Sequence, residues 1–402
     1  MNNSTGIHKG LDTEEVYKKW IELNRNMAAT ARHYKVAPNA VFIHLEKFRA
    51  NTSTGAKSKD ATILGLRKQV RELEAQVLDD ARVKDQIGVA VNKTVNPPDW
   101  LVRKDKFKDL TGVPVLFASD WHFGEVVRGA EIGGSNEYNI TIAKARARTM
   151  IQTFIRLLKN HIQHTGYPGC VFILGGDMMS GDIHDELVET NEMEMMPCLL
   201  ELVPVLAWCI EQLAEEFGKV FVPCVTGNHG RTSRKPRMKR RNHTNYDWLC
   251  YQLLKRFFEK DPRVSFLIPE GPDAYFKIFN TRFLLTHGDQ FRGGDGFAGA
   301  IVPIARGDKR KRARNSQTNR SYDIAVMGHW HQYIHTGDFV VNGSLKGLDE
   351  YAYANNFGFE LAAQAAWLVH PEHGVTFRFP VFVQAKDEVV KTDWISISKE
   401  TK

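Results

Sequence analysis

An α/β domain of sheets covered by helices, preceded by a small all-helical segment, is the architecture this sequence predicts. Three observations predict it. From about residue 107 short continuous apolar runs alternate with longer helical patterns, the mark of buried strands interleaved with helices. The first fifty residues instead carry apolar side chains at helical spacing alone. The length, 402 residues, exceeds what a single hydrophobic core fills, so two or three domains are expected. The expected division is 1–50 as a helical domain, 51–106 as linker and short coil-like helix, and 107–402 as the α/β domain.

Val16, Trp20 and Leu23 place a helix over Glu14–Leu23, and Asn26–Tyr34 and Pro38–Phe48 read as two more around Lys35-Val36-Ala37-Pro38. That pair is a helix-turn-helix candidate: Ala31 is the small residue at the crossing, Val36, Val41 and Leu45 form the shared core, and Asn39, His44 and Lys47 stay exposed. The resemblance to helix-turn-helix DNA-binding domains covers some 25 residues, which equally suit a small helical packing or interaction domain. Asn51–Ser58 is a polar linker. Ile63, Leu66, Val70, Leu73 and Val77 then step by three and four, the spacing of a short coiled coil. A helix docked on its own chain and self-association through residues 63–77 both fit. Val91–Asp99, with Pro97-Pro98, reads as a connector.

Composition excludes several classes. With 43% apolar and 25% charged residues the chain is neither disordered nor fibrous. The longest apolar stretch, Leu199–Ile210, is interrupted by Glu201 and Pro204, so no membrane span is expected. The first residues lack the order of a secretory signal. The cysteines Cys170, Cys198, Cys209, Cys224 and Cys250 form no CxxC pair and read as small buried residues of a cytoplasmic protein.

Strands are expected at Val113–Ala118, Val171–Leu174, Val220–Val225, Tyr275–Phe279, Phe283–Leu285, Ile324–Met327 and Phe339–Val341, with helices around 140–161, 199–217 and 246–258. Beyond Lys346 only the alternation of Val375, Phe377, Phe379, Val381 and Val383 stands out, an edge strand by virtue of Pro380. Residues just past the strand ends carry the chemistry. The first strand delivers Asp120-Trp121-His122, the second Gly176-Asp177, the third Gly227-Asn228-His229. Phe283–Thr286 runs into His287, and Ile324–Met327 into Gly328-His329-Trp330-His331. Strand ends are where α/β sheets build sites. In Asp120-x-His122 the spacing puts carboxylate and imidazole on one face of extended chain, as chelation requires. Carboxylates, imidazoles and one amide without thiolates suit Mn²⁺, with Fe²⁺, Zn²⁺ or Ni²⁺ also compatible. The ligands are too many for one catalytic ion. Two divalent ions about 3.5 to 4 Å apart, bridged by a carboxylate, would polarise a phosphoryl group and generate a metal-bound hydroxide.

These ordered blocks resemble the calcineurin-like metallophosphoesterases over roughly residues 110–345. The resemblance implies a β-sandwich of two mixed sheets flanked by helices, with the site at its edge. It implies Asp120, His122, Asp177 and His331 on one metal, Asp177, Asn228, His287 and His329 on the other, and Asp177 as bridge. It makes His229 the residue that contacts the phosphate and protonates the leaving oxygen. Two departures stand out. Gly230-Arg231 occupies the place where members carry an acid that supports the histidine, and Asn342-Gly343-Ser344 lacks a proline usual in that turn.

Charge points to the substrate. Lysine and arginine number 54 against 47 acids, a net +7. Arg231, Arg234, Lys235, Arg237, Lys239, Arg240 and Arg241 form one basic segment. Arg306, Lys309, Arg310, Lys311, Arg312, Arg314 and Arg320, against Asp308, form another. Together they hold +13, leaving −6 for the rest. One comes after His229 and the other precedes His329, so both are expected to emerge as cationic loops at the metal rim, suited to a polynucleotide backbone. Ser119–Gly124 is more similar to the opening of the repair-nuclease members than to that of the protein phosphatases. The expected function is metal-dependent hydrolysis of DNA phosphodiesters. A phosphomonoesterase or cyclic nucleotide phosphodiesterase would share the metals, and a non-catalytic DNA-binding or assembly protein would share the basic segments.

Overall fold

The computed structural model describes residues 11–49, 112–162, 166–293 and 299–384. The linker, the 63–77 helix and the connector lie outside them. The chain divides into two compact units, Met1–Lys93 and Thr94–Lys402.

In the first unit, α1 (Thr13–Glu22) starts where Asp12 accepts the N–H groups of Glu14 and Glu15, and α2 (Met27–His33) where Asn26 accepts that of Ala29. Residues 38–49 form α3. Val16, Ala31, Val41 and Leu45 make its core, with Val36 packed beside them. The expectation for His44 fails: it is buried, with Nδ1 3.3 Å from Thr13 Oγ1. Helix α1 contributes Val16 and Thr13 to the side of α3 that a two-helix reading leaves open. Asn39 and Lys47 are exposed.

The second unit holds two mixed sheets flanked by helices. Its elements are β1 (Val113–Ala118), α4 (Ile140–Asn160), β2 (Cys170–Leu174), α5 (Asp185–Thr190), α6 (Met195–Phe217), β3 (Val220–Pro223), α7 (Tyr246–Phe257), β4 (Val264–Leu267), β5 (Asp273–Ile278) and β6 (Thr281–Thr286). Then come α8 (Ile301–Gln317), β7 (Ile324–Met327), β8 (Ile334–His335), β9 (Phe339–Val341), α9 (Glu350–Ala354), β10 (Ala363–His370) and β11 (Gly374–Phe382). The first sheet runs β11-β10-β1-β2-β3-β4 and the second β5-β6-β7-β9-β8. Strands β1 to β4 are mutually parallel, as are β6, β7 and β9, so the ends that carry the motifs point the same way within each sheet.

Strand alternation divides the core. Val113, Val115 and Phe117 face inward with Phe283, Leu285, Val326 and Val340, while Leu116 and Ala118 face α4, α6 and α7. On the far side Leu284, Ala325 and Met327 pack on Phe291 and on Ile304 of α8. Among the described residues helix α6 is long and apolar enough to cross a bilayer by length and composition, a test that a buried core helix also passes. Cys198, Leu199, Leu202, Leu206, Cys209, Ile210 and Leu213 are buried in the core over the first sheet, which accounts for that composition. All five cysteines are buried and unpaired.

Strand β10 gave no pattern in the sequence because it is a central strand buried on both faces, with nothing to alternate. Edge strand β11 carries Pro380, as expected. Trp367 of β10 is fully buried between the sheets, its ring 6.4 Å from that of Phe283. Trp367→Ala should therefore cost about 3–5 kcal/mol. The readout is a lowered denaturant midpoint at unchanged slope, monitored by far-ultraviolet circular dichroism; an unmoved midpoint would refute the packing role.

Candidate metal centre

Five of the expected ligand residues have left-handed backbones: Asp120, His122, Asp177, His329 and His331, with φ between 46° and 70°. Such geometry is costly for residues with a Cβ and persists where the surroundings impose it. Gly176 gives the chain room to enter the turn: its φ is 89°, and a Cβ there would lie 2.3 Å from the Gly227 nitrogen. At Gly227 and Gly328 the need is space, since a Cβ would strike a carboxylate oxygen of Asp177 and of Asp120.

The structure brings Asp120, His122, Asp177, Asn228, His229, His287, His329 and His331 to one edge. Ligand atoms of Asp120, His122 and His331 lie within 4.8 Å of one another, as do those of Asp177, His287 and His329 and those of His122, Asp177 and His229. Asp177 belongs to two of these groups. Asp120 Oδ1 accepts the His329 N–H at 2.9 Å and lies 3.5 Å from His331 Nε2, while Oδ2 accepts from Ser119 Oγ at 2.5 Å. Asp177 Oδ1 accepts the His229 N–H at 2.6 Å, and Oδ2 lies 2.9 Å from His287 Nε2.

Several atoms fit a cation. His122 Nε2 and His331 Nε2 are 3.1 Å apart, which requires a shared proton or a cation facing both lone pairs. Asn228 Oδ1 is buried and accepts nothing among the described residues, and His287 Nε2, though near Asp177, is not aligned for a hydrogen bond. A set of carboxylates, imidazoles and an amide oxygen suits a divalent metal. Burial pushes His122 down, His329 down to about 4 and His229 down to about 3 despite Asp177 nearby, so all three present neutral imidazoles at pH 7. Burial opposes protonation of His287 too, but the Asp177 carboxylate raises it to about 10. Asp177 and Asp120 stay ionised because histidines outweigh the burial.

His229 Nδ1 lies 2.7 Å from the Ser180 carbonyl oxygen and donates to it, leaving Nε2 as the free atom. A main-chain carbonyl thus supports the ring, Gly230 offering no side chain for that role. A side chain at 230 has no room: a Cβ would lie 2.6 Å from Asn245 Oδ1 and 3.2 Å from the Asp247 carboxyl carbon. In the Asn342-Gly343-Ser344 turn, Asn342 donates to Ser119 Oγ and Ser344 to the Asp120 carbonyl oxygen, so the turn holds the Asp120 loop without the proline.

Sequence reasoning missed the residues that hold the site. Asp247, fully buried in the first turn of α7, accepts the N–H groups of Asp177 (3.0 Å), Met178 (3.2 Å) and Gly227 (2.9 Å), clamping two motif loops together. Glu125 lies 3.3 Å from His122 Nδ1 and 2.7 Å from Lys346 Nζ, which also contacts Asp349 at 2.5 Å. His122 Nδ1 and Glu125 Oε2 are not aligned for a hydrogen bond, so the carboxylate acts on the ring through its charge. No local pattern marks these residues, which act across the fold.

The basic segments differ from expectation. Residues 231–241 carry no helix or strand, but 306–317 lie in α8 and are not a loop. Lys311 is buried, its Nζ bonded to Asp273, Gln290 and Thr286; Arg312 binds Asp308 and three carbonyl oxygens; Arg314 reaches Asp273. Arg241 pairs with Asp289, Arg234 with Asp185, and Arg231 donates to three backbone carbonyls. These six cations bind the fold. Lys235, Arg237, Lys239, Arg240, Lys309 and Arg310 are exposed.

No family model and no curated protein matches this chain. Among solved structures, a conserved uncharacterized protein of Streptococcus pneumoniae TIGR4, described as a phosphoesterase by prediction, shares 10% identity over 67% of this chain and 99% of that one, with a TM-score of 0.27. A Staphylococcus aureus protein in complex with alpha-ketoglutarate, assigned by inference as a 5′-nucleotidase, shares 12% identity over 71% of this chain, with a TM-score of 0.31. The match spans 56% of that second chain's length. Likeness at this level carries no inference about activity.

The buried trio of Glu125, Lys346 and Asp349 makes stability depend on pH. Burial opposes ionisation of Glu125 and Asp349, but Lys346 outweighs it and holds both below their ordinary values. Groups depressed on folding stabilise above their unfolded pKa and lose that contribution as pH falls through the folded value. Lys346→Met should cost about 3–5 kcal/mol at pH 7 by stranding buried carboxylates. Thermal denaturation should find the gap from wild type shrinking below about pH 4, where unfolded carboxyls are protonated. A pH-independent gap would refute the charge account.

Proposed function

We propose that the chain is a divalent-metal-dependent phosphodiesterase acting on DNA. The observation that carries the reading is Asp177, shared between neighbouring clusters of His and Asp side chains, with the unpartnered Asn228 oxygen also buried. In this reading Asp120, His122, Asp177 and His331 hold one ion, and Asp177, Asn228, His287 and His329 a second, with Mn²⁺ the expected metal. Such ions supply polarisation of phosphoryl oxygens and acidification of water. The chain's residues do the rest. Asp247 keeps the Asp177 and Gly227 loops in register, and Glu125 places negative charge beside His122. His229 is neutral at pH 7 with its Nδ1 proton held by Ser180; to protonate a leaving oxygen from Nε2 it must first take up a proton, which a bound phosphate dianion or diester favours. DNA as substrate is supported by the exposed cations Lys235, Arg237, Lys239 and Arg240, which come after His229 on the loop whose ends are tied to Asn228 and Asp289. The α2–α3 pair is proposed as an accessory DNA contact.

The deciding assay offers metal-reconstituted protein labelled single- and double-stranded DNA, RNA, cyclic nucleotides and p-nitrophenyl phosphates. Metal-dependent cleavage of DNA, abolished by chelator and lowered at least about 10³-fold by Asp177→Ala, is expected. Turnover confined to small esters would replace DNA by a small substrate, and no turnover on any of them would favour a binding protein. Deleting residues 1–50 should weaken DNA affinity; unchanged affinity would remove the accessory contact.

A further inference from the structure

Helix α8 and the segment after His287 line an open cleft of about 370 Å³ with no expected metal ligand among its described lining residues. Phe291, Pro303 and Gly307 form its apolar lining. The Phe291 ring lies against Gly307, where a Cβ would meet it at 2.2 Å, so the glycine admits the ring. Arg306, Arg310 and Arg314 recur every fourth residue along one face of α8, with Gln290 and Arg292 from the other segment. Lys311 fixes the geometry by bonding Gln290 Oε1 at 2.9 Å and Asp273 at 2.6 Å. Arg314 is also engaged with Asp273. Arg292 and Arg310 form no ion pair among the described residues, and Arg306 reaches only the Arg292 carbonyl oxygen at 3.4 Å.

Arg292, Arg306 and Arg310 are exposed along this apolar-floored cleft and have no carboxylate partner among the described residues, which leaves their guanidinium groups available to an anion from solvent. Guanidinium forks match phosphate oxygens, which favours phosphate as the missing partner. Gln290 and Arg292 lie three and five residues after His287, so their backbone is within about 18 Å of it even fully extended. Phosphates along a strand of duplex geometry recur every 3.4 Å or so of axis. A strand with one phosphate at the metal centre therefore reaches the cleft within about five nucleotides.

We propose that this cleft is a second phosphate site, in which Arg292, Arg306 and Arg310 take backbone phosphates of a DNA strand a few nucleotides from the one at the metal centre. It rests on the DNA reading and deepens it, because it makes affinity depend on strand length. It also separates these arginines from Lys311, Arg312 and Arg314, which hold the fold.

The test measures binding of fluorescein-labelled single-stranded DNA, two and ten nucleotides long, to the full chain with calcium in place of a catalytic metal, across a salt series. Wild type should bind the decamer more tightly than the dimer. In R306E/R310E that length-dependent gain should fall at least tenfold and the decamer's logarithmic salt slope should flatten by about 1.4, because two phosphates are no longer neutralised. The milder R306Q/R310Q should move both in the same direction, guarding against a folding defect in the first. R148E/R156E, the same charge change on exposed positions of α4, should leave both unchanged. An equal loss in the α4 variant, or an unaltered gain in both cleft variants, overturns the proposal with the DNA reading intact. Wild type that binds neither strand overturns both. Wild type that binds both strands without cleaving them under a catalytic metal overturns the activity alone.

Discussion

A carboxylate shut away from water must be matched by donors or by positive charge, and Asp177 is almost fully buried. One oxygen takes the His229 N–H and the other faces His287; its own N–H goes to Asp247, itself buried and pushed up to about 6 by burial and by Asp177. Two acids this close repel each other, and positive charge, already supplied in part by the His287 imidazole that Asp177 raises to about 10, offsets that repulsion. The need for that charge organises the centre. The same loops that bring imidazoles to Asp177 leave Asn228 Oδ1 without a donor among the described residues, and divalent ions would answer both needs.

The backbone is shaped for this convergence. Left-handed φ values at five of the expected ligand positions aim side chains back over the strand ends instead of along the strands. Each such turn is held from outside the motif: Asp120 by Ser119, Ser344 and the His329 N–H, and Asp177 by Asp247. The two sheets meet here through these bonds, so the metal edge is also a seam of the fold. Substitutions in Asp247 or Asn342 would reach the site without touching a substrate.

How much the sequence disclosed depends on the reach of each signal. Continuous apolar runs ended in Asp, Asn and His, and the fold set those ends side by side, so the ligand candidates were legible from order and spacing alone. Asp247, Glu125 and Lys346 were not, because their roles exist only between segments distant in the chain. Strand β10 escaped because a doubly buried strand has no alternation, and β4 and β8 are short, with mostly half-buried residues that give no apolar run. His44 was misjudged because the exposed face of α3 depends on where α1 packs. Helical periodicity names a face but not its neighbour.

Charge tells the same story with more consequence. A net +13 in two segments suggests two equivalent basic loops, yet the fold uses these cations differently. Arg312 closes the end of α8 onto three carbonyl oxygens, and Lys311 bolts α8 to Asp273 on β5 and to Gln290. Arg241 ties the 231–241 segment to Asp289, two residues past His287. Burial and pairing thus convert about half of the apparent electrostatic surface into internal bracing, and the field left outside is that of the exposed remainder. Lys311 on Thr286 and Arg241 on Asp289 attach the two segments to either side of His287, whereas Arg312 grips the opposite ends of β7 and β9. The attachment of Lys311 and Arg241 beside His287 is therefore bracing first, and only the exposed arginines and lysines remain to act on solvent.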